Sequence, residues 1–109
     1  MKYKRFEELP VWRDSIELAV RTFAAKPCFR GHAGTRNQLE NAVVSISNNI
    51  AEGFERGTTS ELLTFIYISR GSASETRSMY CLIERLPEFS DFKFEIESRE
   101  HFATAPSLG

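Results

Sequence analysis

The residue types that most often carry chemistry are thinly spread along this chain of 109 residues. Its two histidines, His32 and His101, stand in no metal-ligand spacing with each other or with Cys28 and Cys81, so they read as surface imidazoles. The two cysteines form no CxxC pair and lack the density of a secreted disulfide scaffold, which points to reduced thiols in a cytoplasmic protein. Gly53-Phe54-Glu55-Arg56-Gly57-Thr58 has glycines like those of a phosphate loop, but it has no Walker lysine and Glu55 would oppose an anion. No nucleophile stands at a recognisable spacing from a base. The chain is therefore read as a non-enzyme without metal or cofactor.

The densest set of polar groups lies between Asn41 and Arg56. Ser45, Asn48, Asn49 and Glu52 follow a helical period beside an apolar stripe of Leu39, Ala42, Val43, Ile46 and Ile50, at the margin of a packed face. Polar groups in such a place need partners. With Arg56, which stands four residues after Glu52, they read as a structural polar network that fixes a turn and the register of two helices. Arg70 lies roughly 15 Å too far along an antiparallel partner helix to pair with Glu52.

A third group is basic. Lys2, Lys4 and Arg5 alternate with Tyr3 and Phe6 at a terminus where residues 1–30 carry seven basic side chains against four acidic ones. One such segment binds phosphates feebly, whereas several copies on one face of an oligomer would form a nucleic-acid surface. The whole chain offers no matching field, since 14 Lys and Arg face 15 Asp and Glu for a net charge of −1.

The elements that must position these groups are helical. A composition 41% apolar and 27% charged suits one small globular domain near the size at which burial becomes limiting, and an oligomer would add to it. No run approaches the roughly 18 apolar residues of a membrane span. The pattern predicts a first helix over residues 6–25 with Leu9, Trp12, Ile16, Ala19, Val20 and Phe23 inward, and Pro10 tolerated in its first turn. An Arg13, Glu17 and Arg21 ladder lies on another side. After a loop over 26–34, Thr35 and Gln38 form a capping pattern for a second helix from about Arg36 to Glu52 or slightly beyond. Thr58 and Glu61 cap a third, which runs to about Leu86 before Pro87. Its stripe of Leu62, Phe65, Ile66, Ser69, Ser72, Ala73, Thr76, Tyr80 and Ile83 keeps a near-heptad spacing, with small residues at the middle that let a neighbour approach closely. Leu63, Tyr67 and Ile68 lie off that stripe and read as a subunit interface. Ser90 to about Glu100 makes at most a short fourth helix, with Phe92 and Ile96 inward, and residues 101–109 form an irregular tail.

Phe6-Glu7-Glu8-Leu9-Pro10-Val11-Trp12, the segment Ala42 to Gly53, and Ser69-Arg70-Gly71-Ser72 followed by Glu75 together resemble the bacterial four-helix bundle proteins called the 23S rRNA intervening sequence family. The resemblance covers about residues 6–86. It implies an up-down-up-down left-handed bundle that assembles as a ring-shaped homopentamer, and kinship with accessory proteins of diversity-generating retroelements, which bind a reverse transcriptase and nucleic acid through basic surfaces. This chain departs from that pattern in its near-neutral charge and in a helical period that fails near Arg99, as though the C-terminus were truncated or read in another frame.

The expectation is thus an all-α protein, with a four-helix bundle over residues 1–100 whose fourth helix is shortened, and a core of Trp12, Ile16, Leu39, Val43, Ile46, Ile50, Phe65, Ser69, Ala73 and Tyr80. Its expected role is a cytoplasmic scaffold or adaptor that self-associates into a ring, with RNA or an RNA-handling enzyme as the partner. The alternative is RNA binding by an oligomer through Lys2, Lys4 and Arg5.

Overall fold

Where apolar residues recur at three- and four-residue intervals the chain folds into α-helix, and the turns between helices fall where proline, glycine or a capping hydroxyl interrupts the run. The computed structural model describes residues 2–25 and 31–89. Within them the chain forms α1 (Pro10–Ala24), α2 (Ala33–Glu55) and α3 (Thr59–Glu84), with 3₁₀ turns at Phe6–Glu8 and Pro87–Phe89 and no strand. The expected fourth helix, the tail and most of the loop between the first two helices lie outside the described residues.

The first helix is not continuous from Phe6. Leu9 adopts an extended conformation, with φ −73° and ψ 123°, because the residue before a proline is pushed out of the helical region, and Pro10 then takes the first helical position. The second helix begins earlier than the Thr35 capping pattern predicts. It starts at Ala33 with His32 as its cap residue and no side-chain cap bond, and the Arg36 N–H donates to the His32 carbonyl over 3.1 Å. A tilted ring contact to Phe89, 4.7 Å between centroids, anchors His32. The extra turn also supplies backbone partners that a Thr35 cap would have had to replace.

α2 ends with Arg56 as cap residue and Gly57 beyond it at φ 90°, a left-handed conformation that glycine adopts without penalty. Thr58 then caps α3. Its Oγ1 accepts from the Glu61 N–H over 3.2 Å and donates to Glu61 Oε1 over 2.8 Å. This turn folds α3 back on α2. Gly53 meets Phe65, the Ile46 carbonyl meets Ser69, and Ser45 meets Ser72, so positions on α2 fall as those on α3 rise and the two helices run antiparallel.

Leu39, Val43, Ile46, Ile50 and Ile83 are fully enclosed, each worth about 1.5–3 kcal/mol of burial, with Ala73, Tyr80 and Phe89 beside them. Ser69 joins the core as expected, whereas Trp12, Ile16 and Phe65 are half-buried. The larger departure is in α1. Its inward face is Ser15, Leu18, Ala19 and Thr22, so the helix is rotated by about a quarter-turn from the predicted orientation, and Val20 and Phe23 stand 58% and 44% exposed. Ser15 and Thr22 can face inward because each hydroxyl donates to a carbonyl of its own helix, Ser15 to Trp12 over 2.7 Å and Thr22 to Leu18 over 2.9 Å. A hydroxyl satisfied in this way packs like a small apolar group.

Gly53 tests the closeness of α2 and α3, since a Cβ there would come within 2.5 Å of the Phe65 Cβ. Gly53→Ala should destabilise the fold by about 1–3 kcal/mol through overpacking, despite the better helix propensity of alanine. Gly71→Ala, with nothing within 4 Å of the added carbon, should instead gain about 0.5–1 kcal/mol. Urea midpoints of the two variants that moved in the same direction would contradict this assignment.

Candidate functional site

Three surfaces and one seam account for the residues singled out by sequence. The seam lies between α2 and α3. Ser45 Oγ and Ser72 Oγ are 2.9 Å apart, and the Asn49 side-chain amide donates to both the Ser45 carbonyl, over 2.8 Å, and Ser45 Oγ, over 2.9 Å. Ser69 Oγ donates over 2.8 Å to the Ile46 carbonyl, which in a helix also accepts from its own turn. Of the five buried hydroxyl residues Ser15, Thr22, Ser47, Ser69 and Thr76, Ser69 is the one that reaches a carbonyl of another helix. Asn48 is exposed and stands outside this network.

Glu52 and Arg56 form a separate group at the turn. Their carboxylate and guanidinium are 3.2 Å apart and about half exposed, Arg56 also approaches Glu61 at 3.9 Å, and its guanidinium lies 5.0 Å from the centroid of the Phe65 ring. Exposed ion pairs of this kind contribute little each, so Arg56 acts mainly by covering Phe65. Seam and clamp hold two helices together. Ser45, Asn49 and Glu52 also line an open groove of about 430 Å³ beside Phe23, Glu40 and Val44, where Ser45 is bonded to Ser72 and Asn49, and Glu52 to Arg56.

The second surface is apolar. Leu63, Tyr67 and Ile68 are 51%, 70% and 49% exposed on α3, and Leu82, 53% exposed, stands apart about 20 Å further along the helix. Sequence reading missed the matching feature on α1, where Val20 and Phe23 point outward. The signal was present in Ser15 and Thr22, whose spacing with Leu18 and Ala19 marks the true inward face once their hydroxyls are counted as satisfied.

The N-terminal segment is the third surface, and its charges are partly committed locally. Arg5 pairs with Glu7 at 3.0 Å and the Lys2 ammonium lies 5.7 Å from the Tyr3 ring, while Lys4 donates only its backbone N–H, to the Glu8 carboxylate over 3.3 Å. The hydrogen bond with Glu7 holds the Arg5 guanidinium above its ordinary pKa, and the same bond holds the Glu7 carboxyl below its own. Among the described residues no group of three or more His, Cys, Asp or Glu side chains could hold a metal ion, and no helix is long and apolar enough to cross a membrane. Cys81 is a free, exposed thiol, and Cys28 lies outside the described residues.

One buried titratable group remains. Tyr80 packs in the core with its hydroxyl hydrogen-bonded to Thr22, joining α3 to α1. Burial pushes the phenol well above its ordinary value of 10.0, and the bond to Thr22 draws it down by less. The neutral phenol is thus the folded form, and its contribution is complete below about pH 10. It is lost at higher pH, as the unfolded phenol ionises while the buried one resists. Wild-type protein should lose stability above pH 10, and Tyr80→Phe should flatten that alkaline fall while costing about 1 kcal/mol at neutral pH. Parallel alkaline profiles for the two proteins, followed by circular dichroism, would overturn this account.

Comparison with known proteins adds one finding. A family model described as 23S rRNA-intervening sequence protein matches residues 7–101. No curated protein and no solved structure matches the chain.

Proposed function

The chain belongs to the 23S rRNA-intervening sequence protein family, and from that premise we propose that it works by assembly, as a non-enzymatic scaffold or adaptor in the cytoplasm. The observation that carries this reading is the pair of exposed apolar faces, Val20 and Phe23 on α1 and Leu63, Tyr67 and Ile68 on α3. Both helices pack on α2, and each leaves one apolar row exposed, with Phe23 at the edge of the groove beside Val44.

Two unlike faces on one chain favour head-to-tail association. A twofold contact of α3 against α3 would cover one face and leave the other in water, whereas α1 of one copy against α3 of the next uses both and closes into a ring when the rotation allows. A ring of five is the form that the family resemblance implies. In this proposal the described helices are three members of a left-handed up-down-up-down bundle, with residues after Pro87 supplying a shortened fourth. The assembly would present repeated surfaces to RNA or to an RNA-handling enzyme. The N-terminal route to RNA through Lys2, Lys4 and Arg5 has less support, because Glu7 pairs with Arg5 from within the same chain.

Light scattering over a range of concentrations should give a wild-type mass near five protomers. Val20→Glu and Tyr67→Glu each place a charge in one face and should each weaken self-association by at least about 10- to 100-fold, as expected from losing one buried apolar side chain. Mixed in equal amounts, the two variants should form a dimer, since such a pair retains one intact junction. A monomeric wild type, or a Val20→Glu variant that assembles as the wild type does, would remove head-to-tail assembly.

A further inference from the structure

The outer face of α2 carries a line of polar residues that the seam with α3 uses only in part. Asn41, Ser45, Asn48 and Glu52 stand four, three and four residues apart, the spacing of side chains that share one face of a helix. All four line the groove of about 430 Å³ beside Phe23, Glu40 and Val44. Asn41 and Asn48 are exposed, and among the described residues their side chains make no hydrogen bond. The groove changes character along its length. Val44 makes one end apolar together with Phe23, which stands near the end of α1 that leads into α2, and Glu40 at that end faces Arg36 at 4.0 Å. At the other end Glu52 is exposed. Arg56 meets its Oε1 alone, and with Glu61 also beside Arg56 the turn keeps a surplus of negative charge.

α3 carries the counterpart. Leu63, Tyr67 and Arg70 stand four and three residues apart on one line, all exposed, and the line passes from apolar to cationic in the same chain direction as the groove passes from apolar to acidic. Arg70 makes no ion pair or hydrogen bond among the described residues. This line cannot reach the groove of its own chain. Ser69, whose hydroxyl meets the Ile46 carbonyl, marks the side of α3 that faces α2, and Tyr67 lies roughly 160° round the helix from it. A second copy can bring it there.

We infer that the α2 groove seats α3 of a second copy in parallel orientation, with Leu63 against Val44 and Phe23, Tyr67 beside Asn48, and Arg70 against Glu52. Leu63 and Arg70 are seven residues apart, as are Ser45 and Glu52, so both ends of the contact fall in register about 10 Å apart. Turned end for end, α3 would set Leu63 on the Glu52 carboxylate and Arg70 on the apolar end, losing both matches. Asn48 beside the Tyr67 phenol holds the register, as a single polar residue does in a coiled-coil seam. This contact rests on the head-to-tail reading and names its receptor, the polar line of α2 with Phe23 at its rim.

The test uses the full chain. With Cys28 and Cys81 replaced by serine, Asn48→Cys and Tyr67→Cys variants are mixed and oxidised. A covalent dimer should form in the mixture, and neither variant alone should cross-link. Glu52→Arg and Arg70→Glu should each weaken self-association at least about tenfold by setting like charges together, and the two changes in one chain should restore most of it. Light scattering on the same samples tells two failures apart. A monomeric wild type removes head-to-tail assembly and this contact with it. A wild type that assembles, but with no cross-link between positions 48 and 67 or no recovery in the double variant, leaves head-to-tail assembly standing and overturns this seat.

Discussion

The fold depends on how closely α2 and α3 approach. A glycine at position 53 makes room for Phe65, and Ser69 stands near enough to donate to a carbonyl inside the facing helix. Contact at that range leaves no space for long side chains along the middle of the seam, which is why Ser72, Ala73 and Thr76 follow one another on α3. It also explains the polar motif on α2. Ser45 and Asn49 sit half-buried at the edge of that seam, where Ser45 bonds Ser72 across the helices and the Asn49 amide donates to Ser45.

Hydroxyls perform the same service on α1. Serine and threonine that bond back to their own helix carry no desolvation debt, and they offer a small, smooth surface to a neighbour. Ser15 and Thr22 therefore face inward, and the larger Val20 and Phe23 turn outward. A fold driven only by burying the most apolar stripe of each helix would have chosen the opposite orientation. That this chain leaves such residues in water, on a domain small enough for burial to be limiting, is an argument for a partner outside the described fold.

How much of this was legible in the sequence follows from the same physics. The helices, the Thr58 cap, the close approach on α3 and the exposed Leu63, Tyr67 and Ile68 could be read from spacing, because local propensity and tertiary packing agree there. The start of α2 could not, because Thr35 and Gln38 satisfy a capping pattern equally well inside a longer helix anchored by His32 against Phe89. The orientation of α1 was misread for a subtler reason. Hydropathy ranks serine and threonine as polar, whereas their cost on burial depends on whether a carbonyl of the preceding turn is free to accept. Glu52 illustrates the converse: its helical period places it beside the core, yet a carboxylate has no such local refuge, and it turns out to the surface to meet Arg56.

The separation of roles among the arginines carries the argument furthest. Arg56 is spent on the fold, clamped between two carboxylates and a ring at the turn where α2 reverses into α3. Arg70 and Arg77, on the same helix pair, are left without any of these. At the N-terminus Arg5 is held by Glu7 and the Lys2 ammonium lies over the Tyr3 ring, while Lys4 gives its backbone N–H to Glu8. The chain's net charge near zero thus hides a division of labour, with acidic side chains neutralising the cations at the turn and along α1 and α2 while Arg70 and Arg77 stand apart on α3.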